Sequence, residues 1–308
     1  MFIWFREFFL GLMVVWGASL TAQGALRVAL SSERAHFLLY EAAVFDVELT
    51  NEGRQPVELS NQEGATSGWL SFTILRPNNV RVRPDIPFEP PDRILQPGET
   101  ANLRVNITPH YAIRETGEYR IQAVVRQQGQ IPIMTAPLTF TVGRGERIWS
   151  VDRRMPDDSV RTFSLIRFLK DQTMNPHLYL QIEDERNNLV FTTTDLGSIV
   201  AREVPKTMFD AEGGFHLSWS SAPKTYRYVA CDADGRILKR DQRMEGATFP
   251  GLRLTETGKV EFVGGAVEPA ETGRARLSQV QGMETSGGTT ESEVRRQRAP
   301  GPDSARPQ

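Results

Sequence analysis

The sequence predicts an all-β protein: an N-terminal antiparallel β-sandwich, a second small antiparallel β domain and a disordered C-terminal tail. Three observations carry this expectation. Apolar and polar residues alternate through the first half of the chain, turn-forming clusters separate the alternating runs, and no helix-period segment lies between them.

The chain opens on "MFIWFREFFLGLMVVWGASLTAQGALRVAL". The apolar stretch from Phe8 to Leu20 has signal-peptide length, and Ala22-Gln23-Gly24 fits a small-x-small cleavage site. Residues 1–24 are therefore expected to be a signal peptide, placing the protein in the periplasm or outside the cell. The alternative is an uncleaved anchor helix, because about 20 apolar residues span a bilayer. No Cys follows the apolar run, so a lipoprotein is not expected.

The 308 residues leave room for two domains and a tail, and a hydrophobic content of 39% is enough for packed cores. With 36 basic and 38 acidic residues, the net charge of −2 gives no field to attract nucleic acid or an anionic membrane. Neither partner is expected, apart from the membrane's role in export. Cys231 is the single cysteine, which rules out an internal disulfide. Its place near the end of an alternating run suggests a small buried hydrophobe rather than a nucleophile.

Residues 25–143 carry the clearest period of two. "FDVELT" sets Phe45, Val47 and Leu49 against Asp46, Glu48 and Thr50, and "NLRVNI" does the same with Leu103, Val105 and Ile107. "YRIQAVV" and "LTFTV" follow, with turns at Asn51-Glu52-Gly53, Pro77-Asn78-Asn79, Gln96-Pro97-Gly98 and Glu115-Thr116-Gly117. About seven strands with one wet face and one buried face predict a sandwich. The Pro-rich "RVRPDIPFEPPDR" reads either as an extended recognition segment or as a loop of this sandwich.

"LQPGETANLRVNI" followed by "TGEYRIQAVV" resembles the E and F strands of an immunoglobulin-like or fibronectin-type-III-like module of exported bacterial proteins. In that resemblance Gly117-Glu118-Tyr119 takes the place of the tyrosine corner, which implies structural roles for Gly117 and Tyr119. Ile121 stands where antibody domains carry Cys, so the inter-sheet disulfide of those domains is absent. The superfold hosts many activities and names none.

Beyond Gly143 and Gly145, residues 146–263 are again strand-rich: "RIWSVD", "VRTFSLIRF", "HLYLQIED", "NLVFTTT", "FHLSWS", "TYRYVAC" and "RILKRDQ". Loops of hairpin length join the last three into a meander. The segment "FDAEGGFHLSWSSAPKTYRYVACDADGRIL" resembles one β-propeller blade, with a weaker echo in "HLYLQIEDERNNLVFTTTDLG". Two blades cannot close a ring of at least four, so a second sandwich or a small sheet stack is expected. From Gly264 to Gln308 polar residues, Gly and Pro dominate, a composition expected to stay disordered.

Asp232-Ala233-Asp234-Gly235 poses a choice between a calcium loop and a turn. An EF-type loop needs oxygen ligands at positions 1, 3 and 5, Gly at 6 and a carboxylate at 12. Here Gly235 falls early and Arg243 stands at the last position, so Asp234 and Gly235 are expected to be turn residues. The four histidines, at 36, 110, 177 and 216, share no metal-binding spacing. Signatures of zinc hydrolysis, nucleophile-elbow serine hydrolysis and phosphate binding are missing. No catalytic residue, cofactor or metal is expected.

Aromatics give the binding candidates: Tyr226, Tyr228 and Trp149, which on an exposed sheet face could stack on a sugar or anchor a protein. Trp69 and Trp219 are expected in the cores. The function these observations suggest is a non-catalytic binding or assembly module at or outside the cell envelope, with a protein or polysaccharide partner. The alternative is a carbohydrate-active enzyme or its accessory substrate-binding module, drawing acids from the second domain.

Overall fold

A computed structural model describes residues 26–61, 68–155, 158–170, 175–184, 187 and 189–267, together with the backbone of 297–298. The expected signal peptide, residues 1–24, lies outside these residues, as does most of the expected tail. Among the described residues every regular element is a β-strand, and no helix is long and apolar enough to cross a membrane.

The first eleven strands are β1 (Leu26–Ser31), β2 (His36–Leu38), β3 (Val44–Asn51), β4 (Val57–Leu59), β5 (Leu70–Leu75), β6 (Arg81–Val82), β7 (Arg93–Leu95), β8 (Thr100–Asn106), β9 (Gly117–Val125), β10 (Ile133–Met134) and β11 (Leu138–Gly143). One sheet has the order β1-β3-β8; the facing sheet runs β2-β11-β9-β5-β6, with β10 beside β9. The period-two pattern explains this arrangement directly. Phe45, Val47 and Leu49 point inward from β3 and are fully buried, and Tyr119, Ile121, Ala123 and Val125 answer from β9. Between the sheets Phe140 makes edge contacts with Phe37 and Phe45 and stacks on Tyr119 at 5.3 Å.

Seven strands were expected in this region. The additional elements are pairings of two or three residues, too short to show a period. The most consequential is β2. After β1 the chain bends, crosses to the other sheet and runs parallel to β11, with His36, Phe37 and Leu38 opposite Thr141, Val142 and Gly143. Between β6 and β7 the Pro-rich segment is a loop closing one end of the core: the Pro91 carbonyl accepts the Trp69 indole N–H at 3.2 Å, and Phe88 packs on Phe72 and His110.

The remaining strands are β12 (Glu146–Arg154), β13 (Val160–Phe168), β14 (His177–Asp184), β15 (Leu189–Ser198), β16 (Lys206–Phe209), β17 (Phe215–Ala222), β18 (Thr225–Cys231), β19 (Ile237–Met244), β20 (Gly251–Leu254), β21 (Val260–Val263), β22 (Ala266–Val267) and β23 (Gln297–Arg298). They form two antiparallel meanders, β12-β13-β14-β15 and β16-β17-β18-β19, each extended by one short strand, β23 and β22 respectively. Phe163, Leu165, Leu180 and Ile182 of one sheet meet Phe215, Leu217, Trp219 and Val229 of the other in a shared core. The hairpin β20-β21 adds a third layer, stacking Phe262 on Tyr228 at 5.0 Å. Within the expected tail, Ala266 and Val267 pair with Met244 and Arg243, and Gln297 and Arg298 with Val190 and Leu189.

The two sets of sheets meet at Gly143 and Gly145. Gly145 has φ +69°, and a Cβ there would come within 2.7 Å of Ile166 Cγ2 and 2.8 Å of the Arg167 carbonyl. Leu38, Ile166 and Tyr179 form a small buried cluster across the junction. Glycine is needed here for close approach as well as for backbone freedom.

Candidate functional site

The junction carries a buried polar network. Glu41 sits in the turn after β2, where its carboxylate accepts the Leu38 backbone N–H at 3.0 Å and the Arg34 guanidinium at 2.6 Å. The Tyr179 hydroxyl, from β14, donates to the same carboxylate at 3.1 Å, and Arg34 also lies 3.4 Å from that hydroxyl. Tyr179 is fully buried and Glu41 nearly so. Burial, then the neighbouring Glu41 charge, pushes the Tyr179 phenol far above its ordinary value, so it remains a donor. A carboxylate this deep is tolerable because both oxygens are hydrogen-bonded and a cation neutralises it.

Beside this network lies a cleft of about 310 Å³, walled by Tyr40 and Arg144 from the first set of sheets and by Arg147, Ile166, Gln181 and Glu183 from the second. Tyr40 holds φ +70°, a left-handed conformation that costs a bulky residue on the order of 1–3 kcal/mol. Its neighbours enforce it: the Leu39 N–H donates to the Gly143 carbonyl at 2.7 Å and the Glu41 N–H to the Leu38 carbonyl at 3.0 Å. Burial, reinforced by Glu183, raises the Tyr40 phenol. Arg147 pairs with Glu183 at 2.9 Å, while Arg144 projects into solvent. The cleft offers guanidinium and phenol donors with one carboxylate acceptor, a set suited to hydroxyl-rich or charged ligands.

The residues singled out from the sequence are dispersed. Tyr119 is fully buried and its hydroxyl donates to the Glu115 carbonyl at 2.8 Å. Gly117, at φ +137°, would bring a Cβ within 2.5 Å of Pro77. Trp149 is half-buried and stacks on Phe215 at the side of the inter-sheet core, and Tyr226 packs against the Phe262 cluster on the opposite face of β18. Tyr228 requires a correction as a ligand platform. It is 3% exposed, Phe262 takes its ring face, and its hydroxyl meets His216 Nδ1 at 2.8 Å. The three aromatics therefore form no common surface.

Around Tyr228 a polar chain runs inward. His216 Nε2 lies 2.9 Å from Asp210, which also accepts the Gly214 and Glu212 N–H groups. The imidazole bridges Tyr228 and Asp210, one ring nitrogen to each. Burial pushes the Asp210 carboxyl up, but the His216 bond and the two backbone donors outweigh it and hold it low. The chain ends on a buried hydroxyl and supports the β20-β21 layer.

At the turn, Asp232 does the local work expected of it and of Asp234: its carboxylate accepts the N–H groups of Asp234 and Arg236 at 3.0 and 2.9 Å. Asp234 instead reaches across the core to Arg161, which also donates to the Ala233 carbonyl at 2.7 Å. Gly235, at φ +86°, packs directly on Thr192 and Ile182. The turn is thus docked on the opposing sheet. No group of three or more potential metal ligands occurs among the described residues.

Sequence reasoning passed over Tyr40, Glu41 and Tyr179, whose importance arises from pairing across strands distant in the chain. No protein-family model matches the chain, and no curated protein matches it.

Proposed function

We propose that this chain is an exported, non-catalytic binding or assembly module, working in the periplasm or outside the cell, and that its junction cleft takes a protein or polysaccharide partner. The observation that carries this reading is the Arg34–Glu41–Tyr179 network. It ties the two cleft walls together, so Tyr40, Arg147 and Glu183 are held in place before a partner arrives, which lowers the entropic cost of binding.

We also read the first set of sheets as an immunoglobulin-like module. Support comes from the β1-β3-β8 sheet facing β2-β11-β9-β5-β6, from the parallel β2-β11 pairing, and from the Tyr119 hydroxyl bonding back to the Glu115 carbonyl just before β9.

The test is a panel of envelope polysaccharides and peptides passed over the immobilised chain, scored for retention and for turnover. Retention without turnover, weakened by Arg144→Ala and Arg147→Ala, is the expected result. Turnover abolished by a single Asp or Glu substitution would overturn it in favour of a carbohydrate-active enzyme. Retention indifferent to both arginines would move the binding site away from the cleft.

A further inference from the structure

A second cleft opens where the core between the two meanders changes from apolar to cationic. Across β17, β18 and β19 the inward-facing rungs are Phe215–Cys231–Ile237, then Leu217–Val229–Arg240, then Trp219–Arg227–Gln242. Val229 and Arg240 of the second rung and all three residues of the last, with Leu196 of β15 and with Tyr228 and Asp241 at the margin, line a cavity of about 310 Å³.

Its parts are held in place. The Trp219 indole N–H donates to the Ser198 carbonyl at 2.9 Å, which fixes the ring at the cavity floor. Arg227 donates from Nε to Gln242 Oε1 at 3.3 Å, and its guanidinium passes over Gly197. Gly197 has φ +98°, and a Cβ there would collide with Arg227 Nη1. Removing the side chain at 197 is what lets the guanidinium lie along the cavity.

Arg34, Arg161, Arg167 and Arg243 each pair with a carboxylate. Among the described residues Arg227 and Arg240 have no such partner; Asp241, the neighbour of Arg240, also lines the cavity, but its carboxylate is engaged by Arg243 at 3.3 Å. Two guanidiniums beside an aromatic and an aliphatic side chain offer a fork for a planar anion and a dry wall for whatever carries it.

We infer that this cavity binds a carboxylate carried on an apolar body, with the carboxylate between Arg227 and Arg240 and the body against Leu196 and Trp219. Two sources share that chemistry: a free aryl or alkyl acid, and the C-terminal residue of a peptide. The inference is independent of the junction cleft, with which this cavity shares no lining residue.

Calorimetric titration of the full chain tests it, using phenylacetate, a tetrapeptide ending in phenylalanine, the same peptide as its C-terminal amide, and the Arg240→Gln and Arg227→Gln variants. Saturable binding of phenylacetate or the free peptide is expected, with the amide weaker by about tenfold or more, since a hydrogen-bonded charge is removed. Each Gln variant should weaken binding by a similar factor. Arg240 is exposed, so its variant keeps the fold and remains decisive if Arg227→Gln does not. Binding of the free acid assigns a small-molecule source; binding of the peptide alone assigns a chain terminus. No saturable binding of either up to about 10 mM, equal affinity for acid and amide, or affinity unchanged in Arg240→Gln would overturn the inference.

Discussion

The hydroxyl of Tyr179 donates to Oε1 of Glu41 across 3.1 Å, joining residues 138 positions apart in the chain. Glu41 also balances Arg34, whose side chain is only 17% exposed. Glu41→Ala should therefore cost about 3–5 kcal/mol, because it strands a mostly buried guanidinium. Tyr179→Phe, which removes one neutral donor, should cost about 0.5–1.5 kcal/mol. Urea unfolding of both variants measures this, and equal losses would mean that the Arg34–Glu41 charge pair adds nothing beyond the hydroxyl bond.

Tyr119 combines full burial with a hydroxyl bond to the Glu115 carbonyl. Tyr119→Phe should lose about 0.5–1.5 kcal/mol and Tyr119→Ala about 3–5 kcal/mol. A Phe variant as stable as wild type would show that water replaces the Tyr119 hydroxyl as donor to the Glu115 carbonyl without cost.

Asp234 supports Arg161, which is mostly buried, so Asp234→Ala should cost about 1–2 kcal/mol, more than an exposed turn residue would. Added calcium should leave the melting temperature of wild type and variant unchanged, because the Asp232 carboxylate is committed to backbone donors and Asp234 to a guanidinium. A calcium-dependent rise confined to wild type would restore the metal-loop reading.

Asp195 receives Lys170 at 2.6 Å and His177 at 3.0 Å. Burial pushes its carboxyl up, but the His177 and Lys170 hydrogen bonds outweigh that and hold it well below the ordinary carboxylate value. A carboxyl depressed by folding stabilises in full above its unfolded value of about 3.9 and loses that contribution as pH falls toward the folded one. Asp195→Asn should thus be less stable than wild type at neutral pH, with the gap closing below about pH 4. Denaturant midpoints from pH 7 to 3, a range set by that about 3.9 reference value, would show the convergence; a constant gap would exclude the ionised carboxylate as its source.

Cys231 is 1% exposed, and burial with the adjacent Asp232 pushes its thiol up to about 12. It should resist aromatic disulfide reagents in native buffer at pH 8 and react promptly once unfolded. Rapid native labelling would mean that the inter-sheet core opens readily.

Much of the strand pattern was legible locally. "FDVELT" and "LTFTV" fall within β3 and β11, where burial alternates along the strand, because a strand with faces in different environments writes a period of two into neighbouring positions. The Asp232–Gly235 turn was legible for the same reason, since Asp232 and Gly235 act on backbone within four residues. The short elements β2, β6 and β10 left no such trace.

By itself the sequence determined an all-β chain, the strands with a wet and a dry face, and the turns between them, because each depends on residues adjacent in the chain. Only the tertiary structure decided that Tyr228 would be roofed by Phe262, that Asp234 would reach Arg161, and that Glu41 would meet Tyr179. Each of those contacts joins side chains on separate layers or separate hairpins. Which polar group faces which is settled by how the sheets pack, and the energy of burying a charge or a phenol is defined only once that packing supplies its partner.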